Sequence, residues 1–143
     1  MNPCPRLVCL AIVPTMLIAA GAPQKDKPDE RLKSVTAIID KTADPRIRER
    51  VARRIGSGKT CFTLASAPTS TYAFFEIVPY FGPDDSETGT ITATATLTLP
   101  SGERVWSRAE RVVPRGDVFS ALVNRLLDRL ATDAGCKTRT KAN

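Results

Sequence analysis

The sequence predicts an α+β fold in a single domain. A mostly antiparallel sheet of about five strands, in the order β-α-β-β-β-β-α, carries two helices packed on one face. Three observations predict it. Residues 90–99 alternate threonine with Ile91, Ala93, Ala95, Leu97 and Leu99, the period-two pattern of a half-buried strand. After a turn at Pro100, Ser101, Gly102 and Glu103, the chain returns over 104–113 with Val105, Trp106, Val112 and Val113. Residues 118–134 place Phe119, Leu122, Val123, Leu126, Leu127 and Leu130 on one helical stripe, opened by Asp117 as N-cap and closed by Gly135. A second helix, with Asp44 as N-cap and Pro45 in its first turn, sits between two strand-like stretches.

In chain order, residues 1–22 read as a secretory leader: Arg6, then an apolar run over 7–20, then the small residues Ala19, Ala20, Gly21 and Ala22. As a helix that run spans about 21 Å at ~1.5 Å per residue, short of a hydrocarbon core of ~30 Å. Cleavage fits after Ala20 or after Ala22; retention as an anchor is the alternative. Cys4 and Cys9 come too early to be the lipidated cysteine of a lipoprotein. The expectation is an exported protein, in the bacterial periplasm or outside the cell, with no membrane span once the leader is removed. Residues 23–31 read as a flexible polar linker, 32–136 as the α/β domain, and 137–143 as a disordered basic tail.

Within the domain, 32–40 is the expected first strand, with Val35, Ala37, Ile38 and Ile39. The helix after it buries Ile47, Val51 and Ile55 at four-residue intervals and ends at Gly56 and Gly58. Residues 61–65 return as a strand. Residues 71–81 form a nearly unbroken apolar and aromatic run, which predicts a central strand buried on both faces. The threonines of 90–98 are expected to face solvent.

Composition narrows the chemistry. The 143 residues hold no histidine, which removes the commonest general base, the usual zinc ligand and the usual pH switch. No cofactor and no metal are expected. Net charge is +6, from 21 basic and 15 acidic residues. Without Arg6 the remainder carries about +5, a charge suited to solubility or to loose contact with anionic surfaces. Cys61 and Cys136 follow the leader, and in an oxidising compartment they read as one disulfide, with two free buried thiols as the alternative. Closing a loop of about 75 residues would add roughly 4 kcal/mol on the chain-entropy model.

Several motifs carry less than they suggest. Gly56, Ser57, Gly58, Lys59 and Thr60 imitate the tail of a phosphate-binding loop, but these glycines end a helix instead of opening one, so no nucleotide is expected. Arg115, Gly116 and Asp117 spell an adhesion tripeptide in which Asp117 already has a capping role. Asp84, Asp85 and Glu87 share a turn with too few ligands for calcium. Arg46, Arg50, Arg53, Arg54 and Lys59 make the densest positive patch, a solvated face or an interaction surface. The helix lacks the stacking aromatics that nucleic-acid binding would use, so no nucleic acid is expected. Trp106 reads as a core residue. No serine lies in a nucleophile elbow, and Glu76 is the only acid within an apolar run, where burial would fit it for acid chemistry.

The steps around Leu97, Pro100, Gly102, Glu103, Val105, Trp106 and Ser107, with the helix of 118–134, resemble small bacterial exported envelope proteins of unknown function. More distantly they are similar to accessory domains such as the N-terminal domain of TolB and the penicillin-binding-protein activators. That resemblance implies a non-catalytic role beside other envelope proteins. The sequence therefore predicts an exported accessory domain, not an enzyme, that binds an envelope protein or an anionic envelope polymer. The alternative is a small secreted hydrolase using a carboxylate such as Glu76.

Overall fold

The protein is described by a computed structural model over residues 27–80 and 89–136. The leader, the acidic turn of Asp84, Asp85 and Glu87, and the basic tail of 137–143 lie outside the described residues. A short 3-10 helix, Glu30–Ser34, leads into β1 (Ala37–Asp40), α1 (Pro45–Gly56), β2 (Thr63–Leu64), β3 (Tyr72–Tyr80), β4 (Ile91–Thr98), β5 (Arg104–Val112) and α2 (Val118–Asp133). The sheet runs β2-β1-β3-β4-β5. Its β1–β2 and β1–β3 pairs are parallel and short, while β3–β4 and β4–β5 are long antiparallel ladders. The expected element order and the mostly antiparallel sheet are those of the structure.

Both helices cover one face of this sheet, and the core follows from that. Ile47, Val51 and Ile55 on α1 and Leu122, Val123, Leu126, Leu127 and Leu130 on α2 are buried against Ala73, Phe75 and Ile77 of β3 and Ala93, Ala95 and Leu97 of β4. Register explains the choice of face: Phe75 pairs with Leu97 and Ile77 with Ala95, so their side chains lie on the same side as the helices. Trp106 is 5% exposed, pairs with Leu97, and donates its indole N–H to Asp133 at 2.8 Å.

Three expectations need correction. The first strand begins at Ala37 rather than residue 32. Leu32 and Val35 are buried at a spacing of three, which suits a helical turn, and the Asp29 carboxylate caps that turn by accepting the Arg31 N–H at 2.9 Å. The same residues correct the linker: Asp29 to Arg31 are part of the folded unit, with Arg31 donating to Glu103 of the β4–β5 turn at 2.9 Å. Second, β3 is central but buried on one face only. Ala73, Phe75 and Ile77 point inward, whereas Glu76, Val78 and Tyr80 are exposed, because no helix covers the other side. Third, the threonines of 90–98 are not uniformly solvated. Thr94 is exposed, Thr92, Thr96 and Thr98 are half-buried between neighbouring strands, and Thr90 is buried. The returning strand ends at Val112, and Val113 just past it is 63% exposed.

The end of β1 shows how the sheet handles its unequal strands. Lys41 N–H donates to Phe75 O at 2.7 Å, and the Thr42 hydroxyl then accepts the buried Ile77 N–H at 3.0 Å. One side chain thus extends the ladder past the last backbone pair. Two residues on, along the same edge, Pro79 has no N–H to satisfy. Cys61, ahead of β2, and Cys136, beyond α2, are disulfide-bonded with Cα atoms 5.8 Å apart, so the bridge ties the end of α2 to the β2 edge.

Two stability measurements follow. Replacing Thr42 with Val leaves the Ile77 N–H buried and unmet, and urea unfolding should show a loss of about 1–3 kcal/mol. A near-zero change would mean that another acceptor satisfies it. The Cys61→Ser, Cys136→Ser double variant should lose about 2–5 kcal/mol in the same assay, and an unchanged midpoint would contradict the bridge.

Candidate functional site

The arginine-rich side of α1 is built from its own periodicity. Ile47, Val51 and Ile55 turn inward, which sends Arg46, Arg50, Arg53 and Arg54 to the flank and outer surface. Because α2 lies alongside on the same sheet face, that flank becomes the wall of a cleft. Arg50, Arg53, Arg54 and Ser57 line one side, Ser120 and Asn124 of α2 the other, and Lys59 closes one end. Its volume is about 250 Å³, and no carboxylate is among these lining residues.

The cations are not equivalent. Arg50 donates through Nε to Asp117 at 3.0 Å and through Nη1 to Arg46 O at 2.8 Å, so most of its donors are engaged. Arg54 donates through Nη2 to Asp128 at 2.7 Å. Both pairs join α1 to α2, and both arginine side chains are mostly covered, at 23% and 20% exposed. Arg53 pairs with Glu49 one turn back, at 2.6 Å, and its side chain is 69% exposed. Lys59 is exposed and has no ion-pair partner among the described residues. Arg54 Nε is buried with no hydrogen-bond partner.

Of the five expected surface cations, Arg50, Arg53, Arg54 and Lys59 line the cleft and Arg46 does not. Arg46 pairs with Asp44 and stacks over the Phe119 ring, 4.5 Å from its centroid. Arg50 also lies over that ring, at 5.5 Å. The patch is therefore half structural: Arg50 and Arg54 hold the two helices side by side, while Arg53 and Lys59 face outward. Ser120 and Asn124 were not singled out from sequence. Their signal is a polar pair spaced by four residues beside the leucine stripe of α2, but nothing local says that α1 faces it.

Electrostatics around the cleft has two signs. The C-terminus of α1 presents roughly half a negative charge. That end is capped by Ser57 N–H to Arg53 O at 3.1 Å and Gly58 N–H to Ile55 O at 3.1 Å, with Arg53 and Arg54 in its last turn. Asp117 caps α2 and accepts from Ser120 N–H at 3.1 Å and from the Ser120 hydroxyl at 2.7 Å. The Arg50 guanidinium foremost, and then these Ser120 bonds, hold the Asp117 carboxyl well below the usual carboxylate range. Asp44 is lowered in the same sense, first by the side-chain bond from Arg46. Gly58, with φ +69°, turns the chain from α1 toward Lys59 and β2.

Glu76 is exposed on the uncovered face of β3, so the burial on which its acid chemistry depended is lacking. Asp117 of the adhesion-like tripeptide is engaged by Arg50 and Ser120. Among the described residues, no helix is long and apolar enough to cross a membrane, and no three His, Cys, Asp or Glu side chains group as metal ligands.

No protein-family model matches the chain, and no curated protein matches it. Among solved structures it is similar to an uncharacterized lipoprotein B from Nitrosomonas europaea, with 12% identity and a TM-score of 0.36, covering 71% of this chain and 77% of that one. A likeness at that level fixes neither role nor membrane attachment. The resemblance to the N-terminal domain of TolB and to penicillin-binding-protein activators is not confirmed by these comparisons.

The Arg50–Asp117 pair makes a pH prediction. A carboxyl with a depressed folded pKa contributes stability that is fully present above its unfolded value of about 3.9 and fades as pH falls below it. Urea midpoints should therefore decline from pH 4 downward, and Asp117→Asn should remove part of that decline. An identical decline in the variant would mean that Arg50 does not hold Asp117.

Proposed function

We propose that this chain is an exported, non-catalytic accessory domain that binds an anionic envelope polymer in the cleft between α1 and α2. The observation that carries this reading is the lining itself: Arg50, Arg53, Arg54 and Lys59 with the polar Ser57, Ser120 and Asn124, and no acid among them. The acids that pair with these arginines, Asp117, Glu49 and Asp128, are not among the lining residues, and Lys59 there has no ion-pair partner among the described residues. The leader-like residues 1–22 and the Cys61–Cys136 bridge support export, since such bridges persist in oxidising compartments. The absence of histidine and of a nucleophile elbow in the sequence supports a binding role over a catalytic one.

The size of the cleft favours a polymer over a free small molecule. At about 250 Å³ it lies below the ~300–1,000 Å³ of sites that enclose a drug-sized ligand. It suits one charged group of a longer chain whose remainder stays in solvent.

Titration calorimetry of the leaderless chain with poly(glycerol phosphate) should show binding that weakens as salt rises. Arg53→Glu with Lys59→Glu should lower affinity at least about tenfold, ~1.4 kcal/mol, with little change in melting temperature, because neither side chain is buried. Arg50 and Arg54 are poorer choices for charge reversal, since they also join the helices. Affinity unchanged in the double variant would overturn the proposal.

A further inference from the structure

We infer that the outer edge of β5 is a contact surface for a second copy of this chain, the two β5 strands pairing antiparallel about a two-fold axis at Ala109. The inference is independent of the α1–α2 cleft, which no residue of β5 lines. β5 runs for nine residues, Arg104–Val112, and among the described residues it pairs with β4 alone. The Arg111 carbonyl accepts from Arg125 of α2 at 3.4 Å, so it points away from β4. In an antiparallel ladder that direction recurs at every second residue, so the N–H and C=O groups of Ser107 and Ala109 point outward too. Edge strands are commonly guarded against such pairing by proline, by bulges or by charge. β5 has no proline, and its register shift lies at the hairpin end, opposite Leu97 and Thr98.

Its charges select a register instead of forbidding one. Arg108 and Glu110 share the helix side of the strand, where Arg108 meets Asp133 at 3.2 Å and Glu110 meets Arg129 at 3.4 Å. An axis at Arg108 would set arginine against arginine, and an axis at Glu110 would set glutamate against glutamate. An axis at Ala109 sets Arg108 of each copy opposite Glu110 of the other, which joins the ion pairs of both chains into one network. Ala109 is small and exposed, so two backbones can approach there. The same register brings the exposed Val113 of each copy to Val105 of the other. The incoming strand end then lies where Lys27, Pro28 and Asp29 bound a groove of about 250 Å³ beside residues 104–108. Because the axis stands perpendicular to the sheet, both helix layers stay on one face of a sheet continuous through the two copies. Pairing along one strand is a small interface, so the dimer forms reversibly.

Sedimentation equilibrium of the leaderless chain tests this. The expected result is a mass that rises from monomer toward dimer with concentration. Ala109→Pro removes the N–H at the axis and no bond to β4, so it should weaken the dimer about tenfold or more with little change in melting temperature. Arg108→Glu alone and Glu110→Arg alone each set like charges together, and each should be monomeric where the parent is dimeric. An equal mixture of the two restores both opposite-charge pairs in a heterodimer and should regain the dimer mass, a rescue that a merely structural role for these side chains would not give. A monomer at every concentration overturns the inference and leaves the edge to a strand of another protein. A dimer indifferent to Ala109→Pro overturns it by placing the contact elsewhere. If Ala109→Pro fails to fold, the mixture decides alone, and a mixture that stays monomeric overturns the inference.

Discussion

The structure depends on one constraint: both helices share a single face of a five-stranded sheet, so their flanks must meet. The apolar stripes of α1 and α2 are spent on Phe75, Ile77, Leu97 and their neighbours. What remains at the seam is polar. Burying ordinary aliphatic side chains drives the packing, at about 25 cal/mol per Å² of apolar surface removed from water. The seam itself is set by charge, with Arg50 reaching Asp117 and Arg54 reaching Asp128 across it. Arginine suits this place because its planar fork can hold a carboxylate at its tip while its stem lies along the helix.

From that seam the rest follows. Arg50 and Arg54 are drawn inward and partly covered, Arg53 stays on the outer side, and the chain leaves α1 through Gly58 so that Lys59 closes the end of the groove. The uncovered sheet face has a different character, with Val78 and Tyr80 exposed beside half-buried threonines. The disulfide fixes the end of α2 to the β2 edge, where the parallel pairing is only two residues long.

Much of the fold was legible in local patterns. The alternation over 90–99, the leucine stripe of α2, and the Asp44 and Asp117 caps each declared an element, while the two cysteines after the leader left a bridge and two free thiols both open until the fold brought Cys61 and Cys136 together. Errors arose where the deciding contact was distant. Residue 32 reads as the start of a strand until Asp29 is seen to cap a helical turn whose Arg31 reaches Glu103. The apolar run of β3 suggested two buried faces because sequence does not say that both helices choose one side. The arginines were visible as a patch, but the partners that divide them lie 67 and 74 residues away. Ser120 and Asn124 join the site only through the same long-range packing.

The central claim is that the α1–α2 cleft is where this protein meets its ligand. It is tested most directly by following backbone and arginine side-chain N–H resonances of isotope-labelled protein while poly(glycerol phosphate) is added. The account predicts shifts concentrated on Arg53, Arg54, Lys59 and Asn124. Shifts centred instead on Tyr72, Val78 and Tyr80, with the cleft resonances unmoved, would contradict it.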